Sequence, residues 1–177
     1  NTPHSTPRNA PGNTSGDAPS DTSEHTSGSI PENTSDILKK GMKFIGADGA
    51  VYKILSVKKS NPTVMYYAAK KNAKGKVSVP ATVKYKGVTF KVISIRAKAF
   101  ANRKKVQKVI IGKNVASIGK KAFYNCKKLK KVTMKTTRKI KKKVGKAAFK
   151  KTAKNIVFKL PAKKYKTYKK VLKKKGV

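Results

Sequence analysis

One dipeptide recurs with its surroundings and restricts the chain to a narrow set of folds. Ala99-Phe100, Ala122-Phe123 and Ala148-Phe149 are spaced 23 and 26 residues apart, and other apolar positions move with them. Ile95, Ile118 and Val144 lie five residues ahead of each phenylalanine; Val106, Leu129 and Ala153 follow it; Val109, Val132 and Ile156 then open a three-residue strand closed by Ile111, Met134 and Phe158. A unit with so few apolar residues at fixed offsets cannot bury its hydrophobic side alone, so neighbouring copies must stack around a continuous core. The expectation is a mostly β, short solenoid of three to four coils over residues 77–158. Parallel strands are expected at 77–79, 109–111, 132–134 and 156–158, with Phe100, Phe123 and Phe149 as a buried spine.

The flanks differ from the repeats. Residues 37–76 carry short β-like runs broken by turn residues, among them Asp48-Gly49, Asn61-Pro62 and Lys74-Gly75; with Lys86-Gly87 behind them these are hairpin signals, and they predict a small antiparallel cap. Residues 159–177 place Leu160, Tyr165, Tyr168 and Leu172 on one helical face, with Pro161 suited to a first turn and Gly176 to a stop, which predicts a C-terminal capping helix. Residues 1–36 are almost entirely Ser, Thr, Pro, Asn, Gly, Ala and Asp, with Ile30 as the one large apolar side chain, a composition that predicts a disordered linker. Asn13 and Asn33 match the N-glycosylation pattern, as chance matches do in such a segment. The chain begins at Asn1 without Met, so a preceding portion or leader is expected. No run of 18 apolar residues exists, and no membrane-spanning helix is expected.

Charge narrows the function. The chain has 46 Lys+Arg against 6 Asp+Glu, a net of +40, and every acid but Asp48 lies within residues 1–36, as do both histidines, His4 and His25. The remainder therefore cannot assemble His or carboxylate pairs for acid–base catalysis, nor a cluster of metal ligands, so no enzyme, no metal and no cofactor are expected. Cys126 is the only cysteine and has no histidine nearby in sequence to lower its pKa; a buried packing thiol is the better reading. Ser94 and Ser117 occupy equivalent repeat positions and read as coil-capping hydroxyls rather than partners in a Ser-Lys dyad. Gly112, Gly119 and Gly145 have no phosphate-loop spacing and read as turn glycines.

The segment VIIGKNVASIGKKAFYNCKKLKKVTM, residues 109–134, closely resembles the leucine-rich repeats of the BspA type, found in secreted and surface proteins of bacteria. The V-x-I strand, the Ser117-Ile118-Gly119 step, the Ala-Phe pair and the close from Asn125 through Cys126 to Leu129 carry the resemblance, which extends over about residues 77–158. It implies a curved right-handed solenoid with one short parallel strand per coil, an inward-facing position for Cys126, and an adhesion or ligand-binding role at the cell surface. The first and third copies depart from the pattern by placing Arg103 and Thr152 where the second has Cys126.

Of the 46 basic residues 42 are lysine. Base readout and bidentate phosphate recognition favour arginine, so sequence-specific nucleic-acid binding is disfavoured while diffuse attraction to polyanions is not. Equivalent residues on adjacent strands lie about 4.8 Å apart, and the repeat alignment superposes Lys108 on Lys131, Lys130 on Lys154, Lys135 on Lys159, and Lys104-Lys105 on Lys127-Lys128. These ladders predict an extracellular, monomeric, non-catalytic module that binds anionic polysaccharide, teichoic acid or a host matrix component, with non-specific nucleic acid as a further ligand. The rival readings are an intracellular nucleic-acid-binding protein, suggested by runs such as 139–143, and an accessory domain of a larger secreted enzyme.

Overall fold

Backbone pairing joins each repeat copy to the next. The computed structural model describes residues 38–136 and 144–174; the expected linker over 1–36, the lysine run at 139–143 and the stop at Gly176 lie outside the described residues. The strands β1 (Lys43–Ile45), β2 (Val51–Ser56) and β3 (Thr63–Ala68) form an antiparallel meander. Asp48-Gly49 makes its first turn, with Gly49 at φ 74° and the Asp48 carboxylate accepting the Ala50 N–H at 3.0 Å. The alternation in VYKILS sends Tyr52 and Ile54 into the core. After β4 (Gly75–Val79), β5 (Thr82–Tyr85) and β6 (Val88–Ile95) pair as a hairpin. Lys86 and Gly87 both have positive φ there, 45° and 75°, the backbone sense that matches strand twist in a two-residue turn. Then come β7 (Val106–Ile111), β8 (Ser117–Ile118), β9 (Lys131–Met134) and β10 (Val157–Lys159), a 3-10 turn over Ala162–Lys164 and the helix α1 (Tyr165–Lys174).

Two sheets face one core. One holds β10, β9, β7 and β4 in that order, every pair parallel, as the repeat predicts. The other holds β1, β2, β3, β6 and β5, with β8 continuing from β6 and the single bridge Ile118–Val144 extending the ladder. The antiparallel expectation for the N-terminal region holds within the meander and within the β5–β6 hairpin, but β3 pairs with β6 in parallel. Met65 and Tyr66 lie opposite Ser94 and Ile95, which in turn lie opposite Ser117 and Ile118. The solenoid ladder thus begins one step earlier than the Ala-Phe repeats.

The aromatic spine runs through both regions. Tyr66 stacks on Phe100 at 5.1 Å, Phe100 on Phe123 at 4.7 Å and Phe123 on Phe149 at 4.9 Å, while Phe158 closes the column edge-on at 5.0 Å. Tyr52 meets Tyr66 edge-on, and Phe44 lies beyond it. At the C-terminal end Tyr168 is fully buried, its hydroxyl donating to the Thr136 carbonyl at 3.0 Å, with Leu172 buried beside it. Tyr165, expected on the same face, is instead 47% exposed. Residues 162–164 form a 3-10 turn, α1 begins at Tyr165, and its apolar face is buried from Tyr168 onward, at Tyr168 and Leu172.

Each coil bends through two left-handed residues. Lys98, Lys121 and Ala147 have φ between 54° and 61°, and Asn102, Asn125 and Lys151 between 59° and 63°. An L-residue with a Cβ is strained there, whereas glycine is not. Lys98→Gly should therefore raise stability by about 1 kcal/mol in urea unfolding. Lys98 is exposed, so no packing is lost; a fall in stability would mean that its side chain holds the coil.

Candidate polyanion-binding face

Alternation along the four parallel strands puts one set of side chains in the core and the other on an open face. Val79, Val109, Ile111, Val132 and Met134 point inward. Outward, backbone pairing sets Lys76 opposite Lys108 and Lys108 opposite Lys131, a ladder of three exposed lysines that ends on Val157. A second column runs Ser78, Ile110, Thr133, Lys159. The Lys108–Lys131 superposition is as the sequence predicts. Lys76 stands before Val77 as Lys108 stands before Val109, so it joins the ladder by the strand alignment itself, although the lysine superpositions read from the sequence did not include it.

The third coil needs a correction. Val132 pairs with Phe158, not with Ile156, so Lys159 lies opposite Thr133 rather than Lys135, and the Val157 amide donates to the Lys130 carbonyl at 2.8 Å, which rules out Lys154 as the partner of Lys130. Ile156 and Phe158 have the same parity and offer a strand two in-phase registers. The interval decides between them: Val109, Val132 and Phe158 each lie nine residues beyond their phenylalanine. By the same count Lys105, Lys128 and Lys154 share one coil position and Lys104 and Lys127 another. The pairing of those two coils is fixed by the Asn125 amide, which donates to the Asn102 side-chain oxygen at 2.7 Å. All of these lysines are exposed.

No carboxylate among the described residues neutralises this face. Asp48, the one acid there, accepts hydrogen bonds from the Ala50 N–H and, at 2.7 Å, from the Tyr52 hydroxyl. Burial, then the Asp48 carboxylate, push the Tyr52 phenol well above its ordinary pKa, so it stays a donor. Among the described residues no three His, Cys, Asp or Glu come together as a metal site would require, and no helix is long and apolar enough to cross a membrane.

Residues 82–174, more than half of the chain, match the family model described as the BspA type leucine rich repeat region (6 copies). The chain belongs to this family. Solved structures similar to it include a leucine-rich cell surface protein from Faecalibacterium prausnitzii A2-165, with 26% identity over 69% of this chain and a TM-score of 0.49. The pneumococcal vaccine antigen PcpA matches at 15% identity over 71% of this chain and 40% of its own, with a TM-score of 0.46. A leucine-rich repeat protein from Bacteroides capillosus matches at 17% identity over 70% of this chain and all of its own, with a TM-score of 0.44. The chain spans about a third, 32%, of the F. prausnitzii protein. No curated protein matches it.

Within this BspA-type solenoid the position that closes each coil is now visible. Cys126 is fully buried and its thiol donates to the Phe100 carbonyl at 3.0 Å. Burial pushes its pKa up to about 11, which keeps the thiol protonated at neutral pH. Thr152 donates to the Phe149 carbonyl at 2.9 Å. Arg103, in the first copy, reaches the Ala69 carbonyl with a long 3.4 Å contact. Ser94, expected to cap a coil, has a buried hydroxyl with no hydrogen-bond partner among the described residues, so the capping role is not seen there. The three repeat glycines are not placed for turn dihedrals either, since none has positive φ. A Cβ on Gly112 would lie 2.6 Å from the Ala81 backbone nitrogen, and on Gly119 or Gly145 it would collide with the backbone of Ala97 or Lys120. They are glycine because consecutive coils touch there.

Proposed function

We propose that this BspA-type domain is a non-catalytic, cell-surface module that binds linear anionic polymers, such as acidic polysaccharide or teichoic acid, across its parallel strands. The observation that carries the reading is the backbone-paired ladder Lys76, Lys108, Lys131. Its lysines are rooted at strand spacing, about 4.8 Å, with no carboxylate among the described residues to pair with them apart from the engaged Asp48. Such a row repels itself in the free protein and is relieved by a chain of anions laid along it. Ser78 and Thr133 in the neighbouring column add hydroxyls suited to sugar or ester oxygens. Lys104, Lys105, Lys127, Lys128, Lys130, Lys135, Lys154 and Lys159 extend the positive field around the ladder.

Affinity should fall steeply with salt, because each neutralised anion releases condensed counter-ions. With duplex DNA as a calibrated probe, three lysine contacts give a log–log slope of about −2.7, a loss of about fortyfold between 50 and 200 mM salt. The triple substitution of Lys76, Lys108 and Lys131 by Gln should flatten that slope by the same amount and weaken acidic glycan, teichoic acid and DNA together. Fluorescence titration at several salt concentrations measures both. An unchanged slope in the triple variant would remove the ladder as the contact, and strong selectivity for one nucleotide sequence would favour an intracellular nucleic-acid role.

A further inference from the structure

Arg103 occupies a position made for a small side chain. In the next two coils that position holds Cys126 and Thr152, each with its single donor satisfied by a carbonyl at 3.0 and 2.9 Å. A guanidinium brings five N–H groups and a permanent charge to the same place. Its Nε is buried with no hydrogen-bond partner, and one terminal nitrogen makes only the 3.4 Å contact to Ala69. A buried donor without an acceptor is costly, and a charged one more so.

Arg103 is among the residues that line an open cleft of about 530 Å3 between the loop entering β4 and the loop entering β7. Lys71, Lys74, Lys104 and Lys105 line it too, and all four are exposed. Asn102 is fixed at its rim: its side-chain oxygen is taken by the Asn125 amide, which leaves its own amide N–H groups as donors. The residues around the cleft thus bring an arginine, an amide and four lysines, while Asp48, the one carboxylate of the described residues, is not among them.

We propose that this cleft binds one tetrahedral oxyanion, a phosphate or sulfate group carried as an ester on a larger molecule. The three non-bridging oxygens of a monoester point in three directions and can give the guanidinium, an amide N–H and a lysine one oxygen each, whereas the two coplanar oxygens of a carboxylate would have to share one of theirs between two donors. The cleft shares Lys104 and Lys105 with the polymer-binding reading but does not rest on it, since its defining group is Arg103.

Thermal unfolding of the full chain tests the site, with inorganic phosphate and sulfate titrated against chloride at constant ionic strength. The wild-type midpoint should rise with saturation, by mass action on the folded state. Arg103→Thr, which installs the residue of the third coil, should unfold at a higher temperature than wild type in chloride and lose at least about tenfold in anion affinity. The pair Lys74→Gln and Lys104→Gln, both exposed, should weaken binding severalfold without changing the chloride midpoint by much. Sulfate's general stabilising effect acts on every variant alike, so the wild-type excess over Arg103→Thr is the reading. Glycerol phosphate and a sulfated disaccharide then distinguish the two esters by which saturates at lower concentration. Equal stabilisation of wild type and Arg103→Thr, no saturable rise in wild type, or a lower chloride midpoint for Arg103→Thr would each overturn the proposal. Loss of phosphate binding in Arg103→Thr with the polymer salt slope retained would separate this site from the strand ladder.

Discussion

Phe123→Ala is expected to remove about 3–5 kcal/mol of stability, close to the whole margin of a small domain. Phe123 is fully buried and lies between two rings, Phe100 at 4.7 Å and 19° and Phe149 at 4.9 Å and 3°. Truncation loses the transfer energy of the ring and both stacking contacts, each worth about 0.5–1.5 kcal/mol beyond area. The void cannot close easily. The Phe100 amide donates to the Ala122 carbonyl at 2.7 Å and the Phe123 amide to the Ala148 carbonyl at 2.8 Å, which hold the coils at ring-stacking distance on both sides. Phe158, half-buried at the end of the column, meets one ring edge-on, so Phe158→Ala should cost less. Urea unfolding of both variants decides the matter. A loss below about 1 kcal/mol at Phe123 would mean that the coils are held by their backbone ladders rather than by the spine.

The parts of this fold that were legible in the sequence are those repeated at constant offset. The strands at 109–111 and 132–134 and the phenylalanine column follow from the interval between Ala-Phe and the next apolar run, while the inward thiol follows from the family resemblance. The parallel pairing of β3 with β6 was not legible, because hairpin signals are local whereas a parallel partner is chosen by distant residues and leaves no turn to read. Tyr66 escaped for a related reason. Its ring extends the spine beyond Phe100, yet it sits at the position of Ile95 in the strand register and not at that of a phenylalanine. Lys76 was within reach of the strand alignment, standing before Val77 as Lys108 stands before Val109, whereas the displaced ladder of the third coil was hidden by a period of two that cannot choose between Ile156 and Phe158. The replacement of Cys126 by Arg103 was visible as a break in pattern, but only the folded chain sets Arg103 beside a cleft with its Nε buried and unpartnered.

Gly119→Ala should be nearly as damaging as the loss of the central ring, although it adds a single methyl group. The added Cβ would fall within the backbone of the preceding coil, against the nitrogen and Cα of Ala97 and the carbonyl carbon of Arg96. Backbone atoms cannot swing aside as the end of a lysine can, so relief requires the two coils to part. Parting them strains the Gly119 N–H bond to the Ile95 carbonyl, 2.8 Å, and the Lys98 N–H bond to the Lys120 carbonyl, 3.1 Å. Overpacking of about 1–3 kcal/mol with weakened hydrogen bonds of about 1 kcal/mol each gives an expected loss of roughly 3 kcal/mol. Gly87→Ala is the control. Gly87 has φ 75° but open space around it, so alanine there costs only the left-handed penalty of about 1–2 kcal/mol. Equal losses at the two sites would show that dihedral preference, not coil contact, explains the repeat glycines. The double variant with Phe123→Ala carries the argument further. Coils already spread by the methyl at residue 119 hold the rings of the spine less tightly, so truncating Phe123 should cost less in that background than alone, with a coupling of about 0.5 kcal/mol or more. Strict additivity would mean that the glycine contact and the aromatic column hold the coils together independently.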